Sequence, residues 1–242
     1  CVRWHLQKPY RRELAISLKV FDDASHRSIH METRSYQDQS QKAPTVVTSG
    51  FFTRGELETS VIKWLNNRVA AKLKLAMEEK TFNNEIINVE IDDDRDLVQM
   101  IWRCTRNLVP VVFENCALVG PHPMARVLQY TSASAINNSN ESQTYPLHAD
   151  TPLVTAGAFT RLSLLIYLNS DFIGGALHIF DVADHGDSDS GLHQIKEKIQ
   201  PSAGTVLIFD HRTRHYADHV TCGVKRLIKL AVLYDMQQQQ QQ

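Results

Sequence analysis

The stretch RLSLLIYLNSDFIGGALHIF, residues 161–180, contains two short apolar runs separated by Asn, Asp and Gly. Apolar runs of this length, with turn residues between them, are typical of β-strands joined by short connections. The same pattern occurs on both sides of this stretch, in the runs ARVLQYT (125–131), GTVLIFD (204–210) and RLIKLAVLYD (226–235). We therefore predict that residues 121–236 form an all-β jelly roll, also called a double-stranded β-helix.

The first half of the chain shows a helical pattern instead. Thr53 and Glu56 have the spacing of a capping box, so we expect a helix to begin there and to extend to about residue 80. Its apolar side chains recur every four positions and form one stripe: Leu57, Val61, Leu65, Val69, Leu73 and Met77. A second helix is predicted over residues 94–109, with Asp94 or a neighbouring aspartate as N-cap and Pro110 as stop signal.

Together these patterns predict an α+β protein with three regions. We expect residues 1–120 to form a mostly helical support region packed on the barrel, with one strand within residues 13–21. Residues 121–236 are the predicted jelly-roll core. Residues 237–242 are a polyglutamine tail, which we expect to be disordered.

The amino-acid composition argues against some classes of binding partner. The net charge of −1 gives no electrostatic reason to expect nucleic acid, and no apolar stretch approaches the roughly 20 residues that a membrane helix needs. The four cysteines, Cys1, Cys104, Cys116 and Cys222, are too far apart for a CxxC cluster, so we expect them to be reduced and mostly buried. The sequence does not fix the cellular compartment: the cytoplasm or nucleus is favoured, and the ER lumen is the alternative. The sequence does not define the oligomeric state.

One short segment, YPLHAD at residues 145–150, places a histidine and an aspartate two positions apart. On an extended segment such residues point to the same side, so His148 and Asp150 can present a nitrogen and an oxygen to one ion. Two histidines and one carboxylate on one face of an ion leave its other positions open, as in non-haem Fe(II) oxygenases. A third ligand must come from elsewhere, and the candidates before the last predicted strand are His211, His215 and His219.

Five motifs follow one another along the second half of the chain: Tyr130 on a strand, YPLHAD, LLIYLNSDFIGGALHIF, PSAGTVLIFD and HYADHVTCGVK. With this ordered set, residues 126–235 resemble the catalytic jelly roll of the Fe(II)/2-oxoglutarate oxygenases, and within them the prolyl hydroxylase group. The last motif of that group, H-x-x-x-x-V-x-x-G-x-K, fits only if it begins at His215. The resemblance therefore implies His148, Asp150 and His215 as iron ligands, and leaves His211 and His219 in a turn, at the surface or in supporting hydrogen bonds.

The resemblance also implies a cosubstrate site. Relatives chelate iron with the 2-keto and C1 carboxylate oxygens of 2-oxoglutarate and bind its far carboxylate with a cation, a role that falls to Lys225 here. Arg226 is the rival cation, but adjacent strand residues face opposite sides, so only one of them can enter the barrel. Tyr130 and Tyr167 match tyrosines that contact the cosubstrate in relatives.

Two further features concern residues 174–177, near the predicted loop between two strands. Gly174 and Gly175 are expected to form a tight turn or a close backbone approach. The chain departs from the group at Ala176 and Leu177, where many members have an acidic residue and a threonine. This departure concerns the substrate side rather than iron binding.

The implied activity is that of an Fe(II)- and 2-oxoglutarate-dependent dioxygenase, which consumes O2, forms succinate and CO2, and hydroxylates a substrate C–H bond. Ascorbate is a candidate accessory reductant. Family proximity points to a prolyl residue of a protein or peptide as the substrate. The alternatives are hydroxylation of a lysyl residue or small molecule, a non-catalytic jelly-roll module that binds metal or ligand, and a zinc hydrolase with the same three ligands. A nucleic-acid demethylase fits the neutral charge less well.

Overall fold

The computed structural model describes residues 17–21, 28–32, 46–47, 51–79, 86–91, 94–132, 145–155, 157–180 and 195–236. The polyglutamine tail lies outside the described residues, as does Cys1. The chain divides into two compact units, Cys1–Ser40 and Gln41–Gln242. In the first unit, strand β1 (Ser17–Phe21) pairs with β2 (Ser28–Glu32) as an antiparallel hairpin. The strand expected within residues 13–21 is therefore confirmed.

The described residues of the second unit form two β-sheets. Eleven strands form a large curled sheet: β3 (Val46–Val47), β4 (Phe52–Glu56), β5 (Ile86–Ile91), β6 (Val112–Phe113), β7 (Cys116–Pro121), β8 (Ala125–Thr131), β10 (Val154–Thr155), β11 (Ala158–Tyr167), β12 (Phe172–Gly174), β15 (Thr205–Asp210) and β17 (Val220–Asp235). Four strands form a smaller antiparallel sheet in the order β14-β13-β16-β9: β9 (Tyr145–His148), β13 (Leu177–Phe180), β14 (Ile195–Ile199) and β16 (His215–Ala217).

The core of the barrel is an apolar cluster shared by both sheets. The larger sheet contributes side chains such as Leu165, Leu207 and Phe209, and the smaller sheet contributes Leu177 and Ile179. All of these are at most 6% exposed, and their removal from water drives the two sheets together. The strands that the apolar runs predicted are present, and two facing sheets around one core confirm the predicted jelly roll.

Two helices lie in the first half of the second unit, as the periodicity predicted. Helix α1 (Thr59–Glu79) buries the predicted stripe from Val61 to Leu73, whereas Leu57 is buried just before the helix begins; the side chain of Met77 lies outside the described part of the chain. Helix α2 (Arg95–Thr105) begins at Asp94, whose carboxylate accepts a hydrogen bond of 3.0 Å from the Leu97 N–H. A 3-10 turn (Arg106–Leu108) follows α2 before Pro110.

The predicted start of the first helix was wrong. Thr53 and Glu56 lie in strand β4 and not in a capping box, because β4 pairs with β15, with Thr53 opposite Ile208 and Glu56 opposite Thr205. Pairing with a distant strand thus overrides the local signal. Strand β5 likewise pairs with β8, so the first half supplies strands as well as helices to this unit. No helix among the described residues is long and apolar enough to cross a membrane.

Three cysteines can be compared with the expectation. Cys104, Cys116 and Cys222 are free thiols, as predicted. Cys116 is buried and Cys104 is half-buried, whereas Cys222 is exposed on the edge segment where β17 pairs with β12. The expectation that the cysteines are mostly buried therefore fails at Cys222.

Candidate metal centre

Two histidines from distant parts of the chain face each other across neighbouring strands. His148 is the last residue of β9 and His215 the first of β16, and the antiparallel register of these strands pairs the two residues directly. Their ring centroids are 4.2 Å apart. Asp150 follows two residues after His148, and its Oδ1 lies 3.6 Å from His148 Nε2. One potential ligand atom from each of the three residues lies within 4.8 Å of the other two.

Backbone carbonyls set the tautomer of both histidines. The Nδ1 of His148 lies 2.8 Å from the Pro146 carbonyl oxygen, and the Nδ1 of His215 lies 3.0 Å from that of Thr213. A carbonyl can only accept, so in the neutral form of each ring Nδ1 carries the proton and Nε2 keeps its lone pair. Both imidazoles are therefore prepared to bind a metal ion through Nε2, with the second nitrogen anchored as metal-binding histidines require.

Burial keeps the second imidazole neutral. His215 is 5% exposed, and the ring of Phe209 contacts its edge at a centroid distance of 4.9 Å. Burial lowers the pKa of His215 to about 4, although the Thr213 carbonyl and the Asp150 charge act in the opposite direction. At neutral pH the side chain is thus unprotonated at Nε2, which is the form that binds metals.

The larger sheet holds the carboxylate of Asp150 through both of its oxygens. Ser163 of β11 donates a hydrogen bond to Oδ2, and the ammonium of Lys229 on β17 contacts Oδ1. The Asp150 N–H also donates to the carbonyl of His211, at 2.9 Å. Burial alone would raise the pKa of Asp150, but contacts with His148, Lys229 and Ser163 hold it well below its usual range. The carboxylate is therefore charged and fixed in orientation.

A buried lysine lies deeper in the same barrel. Lys225 of β17 is 1% exposed, its ammonium donates to the Gly175 carbonyl at 3.1 Å, and it lies 4.5 Å from the ring centroid of Tyr130. Burial lowers the pKa of Lys225 to about 8, and the charge of Asp218 offsets this only in part. No acidic side chain of the described residues forms an ion pair with Lys225. A buried cation without such a partner suits an organic anion.

The neighbouring cation, Arg226, lies on the face of β17 opposite to Lys225. Arg226 donates from Nε to the side-chain carbonyl of Gln129 at 2.8 Å, and its N–H donates to Asn169 at the same distance. Lys225 and Arg226 pair with Tyr130 and Gln129 respectively, so the alternation of the strand separates them onto opposite faces. The expectation that only one of the two cations enters the barrel is confirmed, and that one is Lys225.

Comparison with known proteins agrees with this geometry. Residues 133–232, less than half of the chain, match the family model of the 2OG-Fe(II) oxygenase superfamily. The jelly-roll core of this chain is therefore similar to the 2OG-Fe(II) oxygenases. This similarity implies Fe(II), 2-oxoglutarate and O2 as cofactors and supports a 2-oxoglutarate-dependent dioxygenase activity. No curated protein sequence matches the chain.

Solved structures share the fold at low sequence identity. One is a prolyl hydroxylase from Trichoplax adhaerens in complex with a hypoxia inducible factor oxygen degradation domain peptide fragment, with a TM-score of 0.51, 16% identity, and coverage of 76% of this chain and 83% of that chain. Another is the non-heme alpha ketoglutarate dependent carbocyclase SnoK from nogalamycin biosynthesis, with a TM-score of 0.52, 13% identity, and coverage of 77% and 80%. These likenesses establish the fold of this jelly roll, not its activity or its substrate.

The remaining predicted site residues lie in three places. Tyr167 is 1% exposed within the apolar cluster that also contains Tyr130, and burial raises the pKa of its hydroxyl well above the usual range. His211 is buried and supports Asp150 through its backbone carbonyl. His219 precedes β17, and its carbonyl accepts a hydrogen bond of 2.7 Å from the Gly175 N–H.

Two glycines form the close approach that was expected. Gly174 has φ of +83°, and a Cβ there would lie 2.2 Å from the His219 carbonyl oxygen. Gly175 has φ of +66°, and a Cβ there would lie 3.1 Å from Cδ of Lys225. Both positions thus require the left-handed backbone that glycine adopts without strain.

Sequence reasoning missed Ser163 and Lys229. Lys229 lies four residues after Lys225 on a strand, so alternation alone placed it on the same face, and that signal was available. Ser163 gave no comparable signal, because its contact with Asp150 depends on how the segment after β9 folds against β11.

Proposed function

We propose that this protein is an Fe(II)- and 2-oxoglutarate-dependent dioxygenase that hydroxylates a prolyl residue of a protein or peptide. In this proposal His148, Asp150 and His215 are the iron ligands, and Lys225 binds the far carboxylate of 2-oxoglutarate. Tyr130 and Tyr167 line the cosubstrate site. The observation that carries the proposal is that three ligand atoms of this chemistry lie within 4.8 Å of one another in the barrel that buries Lys225.

The donor set fits iron. Two imidazole nitrogens and one carboxylate oxygen are a donor set that suits Fe(II), and the three protein ligands leave positions for 2-oxoglutarate and O2. A zinc hydrolase could use the same three ligands, but it would give the buried ammonium of Lys225 no role. That ammonium is the feature that favours a cosubstrate with a second carboxylate.

Bound iron supplies the redox chemistry in which the substrate C–H, O2 and 2-oxoglutarate become the C–OH product, succinate and CO2. The residues of the chain supply position and environment. The two carbonyl-anchored imidazoles and the fixed Asp150 carboxylate orient the metal, and Lys225 orients the cosubstrate along the barrel. The apolar cluster around Tyr130 and Tyr167 excludes water from the reacting groups.

The exposed side of the centre supports a substrate with an apolar ring. The side chain of His148 is 24% exposed, whereas His215 and Lys225 are buried, so a substrate approaches from the His148 side. Leu147, Leu153 and Val154, which flank His148 and Asp150 in sequence, are 39%, 42% and 71% exposed. Exposed apolar side chains beside a site are suited to contact an apolar group such as a pyrrolidine ring.

Two relatives support different substrates. The prolyl hydroxylase of similar fold was solved with a peptide fragment, which together with the ordered motifs favours a prolyl peptide. The carbocyclase of similar fold comes from nogalamycin biosynthesis, so a small molecule is the second candidate substrate.

The test is a turnover assay with Fe(II), 2-oxoglutarate and O2 on a library of proline-containing peptides. We expect peptide-dependent formation of succinate and a peptide mass increase of one oxygen atom, located on proline by fragmentation. Peptides with proline replaced by alanine are the matched control. Succinate formed only with small molecules would support the second candidate. Hydrolysis without O2, or absence of any iron-dependent succinate, would contradict the proposal.

A further inference from the structure

Strand β17 presents a second lysine to the metal centre. Lys225 and Lys229 are four residues apart in a stretch of β17 whose pairing with β8 is regular, so both side chains project from the same face. Lys229 is less buried, with 23% of its side chain exposed, and its Nζ contacts Oδ1 of Asp150. The two lysines therefore serve different groups: Lys225 lies under Gly175, and Lys229 lies at the carboxylate.

The carboxylate oxygen that Lys229 contacts is the one that faces the histidine. Oδ1 of Asp150 lies 3.6 Å from Nε2 of His148, while Oδ2 accepts the hydrogen bond from Ser163. A divalent ion bound by His148 and Asp150 would therefore need the same oxygen as the ammonium group. No other described acidic side chain forms an ion pair with Lys229.

We propose that Lys229 and the divalent ion are alternative cations for Oδ1 of Asp150, so that Lys229 limits the affinity of the metal centre. This inference rests on the proposed iron ligands. Lys229 acts through Asp150 and is a positioning residue rather than a catalytic one. In the metal-free protein its ammonium holds the charged carboxylate in place, and in this proposal the incoming ion displaces it from Oδ1.

Removing the Lys229 side chain has two opposing effects on the affinity for the divalent ion, and their sizes can be compared. Loss of its contact frees Asp150, but Ser163 and the His211 carbonyl still hold that residue through Oδ2 and the backbone N–H. Loss of its positive charge removes repulsion against a doubly charged ion a few ångströms away in a partly buried site, where Coulomb energies are large. Repulsion is therefore the dominant effect, and the neutral variant binds the ion more tightly.

The experiment compares Mn(II) binding by calorimetry in the full-length wild type, Lys229→Met and Lys229→Arg. We expect the dissociation constant of Lys229→Met to fall roughly tenfold or more, since one Coulomb contact of this kind exceeds the energy of a tenfold change. Lys229→Arg keeps the charge and should stay within about threefold of the wild type on the same reasoning. Lys63→Met, which removes an exposed lysine of α1, is the matched control and should leave the constant unchanged.

A stability measurement separates this role from a structural one. Without metal, Lys229→Met should melt at a lower temperature than the wild type, because a charged carboxylate loses its partner. With saturating Mn(II), the variant should gain more in melting temperature than the wild type does. A residue with a purely structural role would lower both melting temperatures equally, and that result would overturn the inference.

The wild type offers a second route should Lys229→Met not fold. Amine labelling read by mass spectrometry should become faster at Lys229 when Mn(II) saturates the protein, and should stay constant at Lys63. An unchanged rate at Lys229 would overturn the inference. If the wild type binds Mn(II) but Lys229→Met binds it no more tightly, this inference alone fails. If neither protein binds Mn(II), the proposed iron ligands fail as well.

Discussion

His148 and His215 are direct register partners on the antiparallel strands β9 and β16, with ring centroids 4.2 Å apart. The pairing of two strands therefore fixes the spacing of these imidazoles. Asp150 lies just beyond the end of β9 and reaches the larger sheet through Ser163 and Lys229. The candidate metal centre thus bridges the two sheets of the jelly roll.

Replacement of Ser163 by alanine should weaken metal binding. The hydroxyl of Ser163 donates to Oδ2 of Asp150, and loss of a hydrogen bond to a charged group costs about 1.5–3 kcal/mol, or roughly tenfold to a hundredfold in affinity. Calorimetry with Mn(II) measures the change. Ser60→Ala, at an exposed position of α1, is the control. An unchanged dissociation constant for Ser163→Ala would show that the hydroxyl does not orient the carboxylate.

Replacement of Lys225 by alanine should raise KM for 2-oxoglutarate. The buried ammonium is the proposed partner of the far carboxylate, and loss of a charge-assisted hydrogen bond is expected to raise KM roughly tenfold to a hundredfold. Arg226→Ala is the matched control, because Arg226 lies on the opposite face with Gln129 and its loss should leave KM unchanged. A larger effect at Arg226 than at Lys225 would reverse the assignment of the cosubstrate cation.

The pH dependence of kcat/KM for 2-oxoglutarate should also report on the charge of Lys225. Because burial lowers the pKa of Lys225 to about 8, the free protein loses this positive charge as the pH rises through that value. We therefore expect kcat/KM for 2-oxoglutarate to fall above pH 8 in the wild type. Lys225→Arg should retain its value there, because the guanidinium stays charged. Parallel profiles for the two proteins would contradict the role of Lys225.

Without cosubstrate, the free energy of unfolding should rise with pH over the range in which kcat/KM falls. The folded-state pKa of about 8 lies below the ordinary value of 10.5, so the unfolded chain binds more protons between these two values. The free energy of unfolding should therefore rise from pH 8 to 10.5, by up to about 3 kcal/mol. Denaturant titrations of the wild type and Lys225→Met measure this, and the variant should lack the rise.

Two glycine substitutions separate backbone strain from crowding at the lysine. Gly157 and Gly175 both have positive φ, so alanine at either position should cost roughly 1–2 kcal/mol of stability. An added Cβ at Gly157 has no atom within 4 Å, whereas at Gly175 it lies 3.3 Å from the Lys225 ammonium. Only Gly175→Ala should therefore raise KM for 2-oxoglutarate. Equal effects of both variants on KM would indicate that backbone strain alone is responsible.

The sequence alone predicted the features that depend only on the position of a residue along a strand. The opposite facing of Lys225 and Arg226 follows from strand alternation, and the geometry agrees with it. Thr53 and Glu56 were assigned to a helix because their capping-box signal is local, whereas their pairing with β15 depends on a strand about 150 residues away. The contact of Ser163 with Asp150 likewise depends on tertiary packing, which no local pattern encodes, whereas alternation gives the face of Lys229 but not its partner.

The central claim is that His148, Asp150 and His215 bind iron while Lys225 binds the 2-oxoglutarate that chelates it. An anaerobic titration with Fe(II) and 2-oxoglutarate tests this most directly, by the visible metal-to-ligand charge-transfer absorption of the complex. We predict a band that saturates at one iron per chain, is lost in His215→Ala, persists in His219→Ala, and needs more 2-oxoglutarate in Lys225→Ala. A wild-type protein that shows no such band at saturating Fe(II) and 2-oxoglutarate would contradict the claim.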